Sequence, residues 1–318
     1  MNPSYTLLRP ETPEMADLGL RCLMNGLDEE PRETGAAARY REQLRQFYVY
    51  CGSMGIDPRR QVMAFADGKL QAMALWIASP GHTALLFTPN LMEHPQLAPA
   101  CGVCIAAAIS DALANGAELV QAMVDPRDAL AVSTFTAAGL EPLATLSYME
   151  RRPPLFCPVV RLPAGVSLRT YAPGAHGLFA AAIQDSYQET LDCPRLAGAR
   201  NVDDVIAGHK AAAPFDPDLW ALVIVDNRPA GVSLLAHVPA RNSLEVVYLG
   251  LAPFARGRGI GKALMQQALA CSVRRACALL SVAVDAANTP AVKLYRRAGF
   301  AQVADRLAMV HLKDQKSP

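Results

Sequence analysis

This chain has almost no excess of charge of either sign. Lys+Arg 30 against Asp+Glu 29 leaves a formal net charge of +1. That excludes a nucleic-acid partner held by bulk charge, and no basic run with interleaved aromatics is present. Long apolar runs are also lacking, since stretches such as 105–108 fall far short of a membrane span. The opening Met-Asn-Pro-Ser-Tyr has neither a basic n-region nor an apolar core, so it does not read as a signal peptide. Among eight cysteines, at 22, 51, 101, 104, 157, 193, 271 and 277, only Cys101 and Cys104 form a C-x-x-C. No second pair and no nearby histidine completes a zinc site there, so no metal is expected. The thiols read as reduced and mostly buried, and the expected location is cytoplasmic.

A hydrophobic content of 52% and a mean hydropathy of +0.14 indicate a well-packed chain, and 318 residues suggest two domains. Period and turn chemistry predict, in the first half, strands near 5–9, 61–66, 70–78, 82–88, 119–124 and 145–150. Helices are expected near 14–25, 36–50, 102–114 and 129–138. Asp67-Gly68 marks a hairpin and Asn115-Gly116 a helix end. The helix at 36–50 carries Arg39, Arg41 and Arg45, which suit either an anionic acceptor or water, and water is the expectation. Arg151-Arg152-Pro153-Pro154 breaks regular structure and sets the expected boundary between domains 1–152 and 153–318. After it the order recurs: strands near 166–171, 220–225, 230–238, 279–284 and 307–312, with helices near 177–190, 202–212 and 289–298. At an offset of 160, Leu119, Val124, Asp125, Ala138 and Gly139 meet Leu279, Val284, Asp285, Ala298 and Gly299, which points to an internal duplication.

The richest stretch begins at Ser243. A β-branched apolar run leads into Arg256-Gly257-Arg258-Gly259-Ile260-Gly261, then into helical spacing at Ile260, Leu264, Met265, Ala268 and Leu269. A strand–loop–helix of this kind leaves the first helical N–H groups unpaired and aimed at the loop, where with the helix dipole they suit a phosphate. A Walker loop would need glycine at Arg256 and Ser or Thr at Ala263; a dinucleotide fingerprint would need glycine at Lys262. Both patterns fail. A glycine-rich turn without a ligand is the plain alternative. The pattern (Gln/Arg)-x-x-Gly-x-(Gly/Ala) is met by Arg256, Gly259 and Gly261, and it resembles the acetyl-CoA loop of the GNAT (GCN5-related N-acetyltransferase) superfamily. A second segment, Asn288 through Tyr295 to Gly299-Phe300, looks like that family's second CoA segment.

The resemblance implies an α/β fold of two tandem GNAT domains, each a mixed, mostly antiparallel sheet flanked by helices. Its architecture is similar to that of mycothiol synthases. It implies acetyl-CoA as acyl donor, held by Arg256, Gly257, Arg258, Gly259, Ile260, Gly261, Lys262 and Asn288, with backbone groups near Leu249 and Leu251 on the pantetheine and acetyl carbonyl. At the same offset Glu245, Gly259, Gly261 and Tyr295 meet Leu85, Pro99, Cys101 and Phe135, while Arg256 meets the still-permitted Gln96. The first domain therefore reads as a degenerate copy, and the second as the catalytic one.

Strand alternation predicts Glu245, Val247, Leu249 and Leu251 on one face, with Glu245 partly desolvated and suited to act as a base. A strand-end glutamate in water is the other reading. Tyr295 is expected to protonate or hydrogen-bond the departing sulfur, or else to be packed as a plain aromatic. Asp192 and Arg200, in the irregular stretch 188–200, are candidates for reading the acceptor, with a solvated loop the equal alternative. The expected activity is direct acetyl transfer to a small-molecule or peptide amine, with no nucleic acid, no membrane and no oligomer predicted. The alternative is a non-catalytic CoA- or acyl-CoA-binding sensor or scaffold.

Overall fold

A computed structural model describes residues 4–27 and 34–313; the side chains of residues 34–40, 50, 53 and 54, Arg39 among them, lie outside the described residues. The chain divides into two compact units, residues 1–142 with 307–318, and residues 143–306.

In the first unit lie β1 (Thr6–Leu8), α1 (Pro13–Asn25), α2 (Thr34–Met54), β2 (Gln61–Ala66), β3 (Lys69–Ser79), β4 (Thr83–Phe87), α3 (Ala98–Ala114), β5 (Leu119–Val124) and α4 (Ala129–Ala137). Next comes β6 (Glu141–Arg151), most of which belongs to the second unit. That unit continues with β7 (Val166–Thr170), α5 (His176–Tyr187), α6 (Val202–Lys210), β8 (Trp220–Val225), β9 (Arg228–Val238), β10 (Ser243–Leu251), α7 (Ile260–Arg274), β11 (Leu279–Asp285), α8 (Thr289–Arg297) and the start of β12 (Ala301–Leu312). In each unit the strands are mixed in direction and mostly antiparallel: β4 pairs β5 in parallel in the first, and β10 pairs β11 in parallel in the second.

Local chemistry accounts for the element ends. Thr12 caps α1 by accepting the Met15 N–H, with Pro13 in the first turn. Asp67 and Gly68 both take positive φ, 49° and 73°, as a tight hairpin turn requires, and Asp226 and Asn227 repeat the device at 49° and 65°. α3 starts four residues earlier than its periodicity suggests because Pro99 is tolerated in a first turn. By length and composition α3, with the short turn before it, could cross a membrane. Eight of its residues, Cys101 and Cys104 among them, pack into the first unit's core. Burial pushes the Cys104 thiol up to about 12.

The units differ from the sequence boundary at 152/153 in the membership of two strands. Leu307–Leu312 of β12 pair antiparallel with Leu119–Val124 of β5, and Leu146–Arg151 of β6 pair with Leu280–Asp285 of β11. Met309, fully buried, belongs to the first unit's core, and Met149 to the second's. At the offset of 160, β6 and β12 are equivalent elements, so each fits the slot of the other. Each unit also contains one tryptophan, Trp76 and Trp220 respectively. Met309→Ala should therefore lower the stability reported by Trp76, and Met149→Ala that reported by Trp220, each by about 2–5 kcal/mol. Denaturant titrations of single-tryptophan variants check this; the opposite pairing of mutation and reporter would refute the exchange.

Candidate active site

The second unit's central strands part where the sequence offers no visible reason. Parallel pairing between β10 and β11 runs from Ser243–Leu279 to Val246–Val282 and then stops. At the same point β10 bulges against β9: Val246 faces Leu235, Tyr248 faces Leu234, and Val247 is the extra residue. Beyond the bulge a cleft of about 180 Å³ opens between the strands, lined by β10 from Val246 to Leu251, by Val282–Val284, and by Asn288, Ala291 and Tyr295. The Ala252 N–H donates to Ala230 on the β9 side. By alternation the Gly250 N–H points the same way, and those of Leu249 and Leu251 point into the cleft. These are the two backbone positions singled out from sequence.

The bulge corrects the expected alternation. Glu245 pairs with Ala236 and Tyr248 with Leu234, so these two side chains share a face, while Leu249 and Leu251 pack on the other face toward Ile260 and Leu264. A Cβ on Gly250 would lie 2.5 Å from Ser186 Oγ and 2.7 Å from Tyr248 OH, which places Gly250 on the Tyr248 face and requires glycine there.

At the loop, Gly257 and Gly259 take φ of 73° and 78°, and Gly259 is the residue before α7. Neither would crowd an added Cβ, so it is the positive φ that favours glycine. Gly261 differs: its Cβ would meet Leu294 of α8 at 3.1 Å, so it sets helix packing. Among the described residues the backbone N–H groups of Gly257, Arg258, Gly259, Ile260, Gly261 and Lys262 donate to no protein acceptor. Six successive free donors at a helix N-terminus make a cradle for an anion. The Arg256 guanidinium is not part of it. It donates to Leu251 O (2.9 Å), Ser186 O (3.0 Å), Gln188 O (2.7 Å) and Glu189 O (3.1 Å), closing the C-terminus of α5 against the end of β10. This clamp accompanies the end of α5 at Tyr187, three residues short of the sequence expectation. The Arg258 side chain reaches Asp226 at 3.7 Å.

On the Glu245 face a polar group gathers beside the cleft. Ser186 donates to Ile183 O (2.7 Å), so at 2.7 Å Tyr248 must be the donor to Ser186 Oγ. His209 of α6 stacks on Tyr248, centroids 5.3 Å apart. Burial, and then the Arg200 charge, drives His209 down to about 4, so it is neutral at physiological pH. Glu245 lies one residue ahead of the cleft wall, and burial raises its carboxyl while Arg241 partly offsets that. Asp192 lines the cleft, accepts the Asp285 N–H at 3.2 Å, and is raised chiefly by partial burial although some of its surface still meets solvent. Asn288 caps α8 through Ala291 N (3.3 Å) and also hydrogen-bonds Asp192. Tyr295 is buried and its hydroxyl is raised by that burial; among the described residues nothing bonds it. Arg200 lies near Tyr187 and His209 and does not line the cleft.

The first unit repeats the backbone without the donors. Its β4–β5 register, Thr83–Leu119 to Leu85–Gln121, matches β10–β11 at the 160-residue offset, and a cleft of about 190 Å³ opens beyond it, ending at Phe135. Where the second unit has its cradle, the Leu97 and Ala98 N–H groups are taken by His94 O and Pro95 O, and Pro99 has none.

Ser186, Tyr248 and His209 were not singled out from sequence. Tyr248 sits inside the key strand, but the bulge alone brings it beside Glu245; nothing local marks the other two. Because His209 stays neutral in the folded protein down to about 4 while an unfolded histidine protonates near its ordinary 6.5, acid favours unfolding. Its neutral burial contributes full stability above about 6.5, and that stability declines as pH falls toward about 4. Chemical denaturation across this window should show a slope that His209→Asn flattens; an unchanged slope would remove His209 as its source.

Residues 183–300 match the model of the Acetyltransferase (GNAT) family. A mycothiol acetyltransferase of Pseudarthrobacter chlorophenolicus is 32% identical over 148 residues, covering 45% of each chain; the chain spans about half the length of the curated relatives it matches. In fold, the chain is similar to a GCN5-related N-acetyltransferase of Sphaerobacter thermophilus, with a TM-score of 0.58 and 20% identity over 97% of this chain and 95% of that one. It is also similar to a tandem GNAT protein from the clavulanic acid biosynthesis pathway, with a TM-score of 0.54 and 14% identity over 99% of each. The family's match falls on the unit that keeps the open cleft and the free N–H cradle, and over the whole chain the fold is similar to that of a tandem GNAT protein.

Proposed function

We propose that the protein moves an acetyl group from acetyl-CoA to a small-molecule amine by direct attack, and that residues 143–306 carry the reaction. The observation that carries this is the parted strand pair, with inward N–H groups on β10, the anion cradle at its outer end, and a half-buried carboxylate on the face beside it. The cradle at 257–262 takes the pyrophosphate. The acyl arm lies along β10, where the Leu249 and Leu251 N–H groups meet its amide and carbonyl oxygens and stabilise the negative oxygen as the amine adds. Glu245, its affinity for protons raised by burial, accepts the proton the amine loses. Tyr295 supports the departing sulfur. Its hydroxyl, lifted above the ordinary range, holds its proton more tightly than a thiol does, so it acts as a hydrogen-bond donor to the thiolate. Asp192, with Asn288 behind it, faces the position of the incoming ammonium. The relatives named mycothiol acetyltransferases make small polar amines the first acceptors to try.

A panel of small amines, scored by release of free CoA thiol, tests the reaction. Turnover with at least one acceptor well above the background rate in water is expected. Tight CoA binding with none accepted would leave a binding protein. Glu245→Gln should reduce turnover by about 10²–10⁴-fold at neutral pH. In the wild type the acid limb of kcat/KM should lie above the ordinary carboxylate range of about 4.3, because a base fails as pH falls through its raised pKa. In the variant that limb should move to the acceptor amine's own titration. Superimposable pH profiles would exclude Glu245 as the base.

A further inference from the structure

A second, larger cleft of about 940 Å³ lies between α7 and α8 of the same unit. It meets the strand cleft at Pro290, which lines both, and the glycines of the loop form part of its wall. Its charges are of one sign, Arg151, Lys262, Lys293 and Arg297, with no carboxylate among the lining residues. Its remaining wall comes from outside the helix pair: Pro154, Phe156 and Pro158, in the segment that follows β6.

That segment is tied at both ends. The Arg151 guanidinium donates to Ala298 O at the end of α8, and Cys157 Sγ lies 4.0 Å from Ala270 O on α7. Three prolines, Pro153, Pro154 and Pro158, restrict the backbone between and beside these anchors. Phe156 nonetheless keeps 85% of its surface exposed. A large apolar ring held on a stiff strap, at the wall of a cationic cleft and with no core to enter, is suited to a flat apolar ligand.

We propose that this strap is the adenine platform for acetyl-CoA, with Phe156 stacking on the base while the cleft's cations meet the phosphates. The proposal rests on the acetyl-CoA reading above and adds a specific claim: residues 154–158 recognise the nucleoside end of the donor and leave the acyl arm untouched. Stacking a base on an aromatic side chain is sequence-tolerant and sensitive to loss of the ring. The cations alone would hold the phosphates with little preference for what they carry.

Calorimetry on the full chain with CoA and with 4′-phosphopantetheine, which lacks the adenosine part, separates the possibilities. Phe156→Ala should weaken CoA by about five- to tenfold and leave phosphopantetheine unchanged, whereas Phe156→Trp should retain CoA affinity. The new indole of the tryptophan variant should be quenched by CoA and not by phosphopantetheine. Unchanged CoA affinity in Phe156→Ala, or an equal loss for both ligands, would overturn the strap while leaving the acetyl-CoA reading intact. Failure of the wild-type protein to bind either ligand would overturn that reading, and the strap with it.

Discussion

The end of the β10–β11 ladder at Val246 and Val282 is the constraint on which the second unit's site depends. A sheet interrupted in its middle leaves backbone donors and acceptors facing one another across a gap too wide to bond. Such groups are costly unless water or a ligand satisfies them. The gap is held open from both sides. On one side the Val247 bulge re-aims β10 and turns Tyr248 onto the Glu245 face. On the other, the Asp285 carboxylate accepts the Cys193 and Ala287 N–H groups at 3.1 and 2.9 Å, fixing the turn where β11 ends. Arg256 then joins the end of β10 to the end of α5 through four carbonyls, so the loop of free N–H groups starts from a fixed point. Each device uses strong local hydrogen bonding to keep a nearby stretch of backbone unbonded.

The comparison between units shows which features belong to the fold and which to the site. The parallel register, the parted strands and the cap of the last helix are kept in both: Asp128 caps α4 through Ala131 N as Asn288 caps α8 through Ala291 N. Only the second unit keeps glycines at positive φ before its central helix. In the first, a short turn at Pro95–Leu97 consumes the equivalent N–H groups, and α3 begins with proline. The backbone framework is thus common to both units, and among the described residues the run of free donors before the central helix belongs to the second.

Features set by local chemistry were the ones legible in the sequence. The hairpin at Asp67-Gly68, the helix end at Asn115-Gly116 and the strand–loop–helix around Arg256 all follow from residues a few positions apart. The duplication was legible as well, because matched residues fall at element ends. The exchange of β6 and β12 was not legible, and the reason lies in that same duplication: two equivalent strands carry nearly the same pattern, so nothing in either one says which unit it joins. The bulge at Val247 was equally hidden, because Val-Val-Tyr alternates no worse than its neighbours. With it went the grouping of Glu245 with Tyr248 and the stacking of His209. Arg256 matched its motif position, but the sequence could not show that its guanidinium would be spent on α5.

The two clefts differ in the charges that line them. Toward α7 and α8 the lining groups are cationic and the free N–H groups add partial positive charge. In the strand cleft, Glu189 and Asp192 line the wall together with Arg256, and Glu245 lies one residue before the first β10 residue of that wall. In the proposed reaction a donor with several phosphates would be drawn to the cationic cleft and an ammonium acceptor to the carboxylates, so the field would favour each reactant's own site before contact. Those carboxylates create a difficulty, for groups that attract an ammonium ion also hold it protonated, and a protonated amine cannot attack. Burial of Glu245 answers it. A carboxylate raised by burial takes a proton at a smaller free-energy cost than an ordinary surface glutamate, so the proposed reaction, which must bind a cation and then neutralise it, is best served by Glu245 on the desolvated strand as base and Asp192 at the more open rim as binding group.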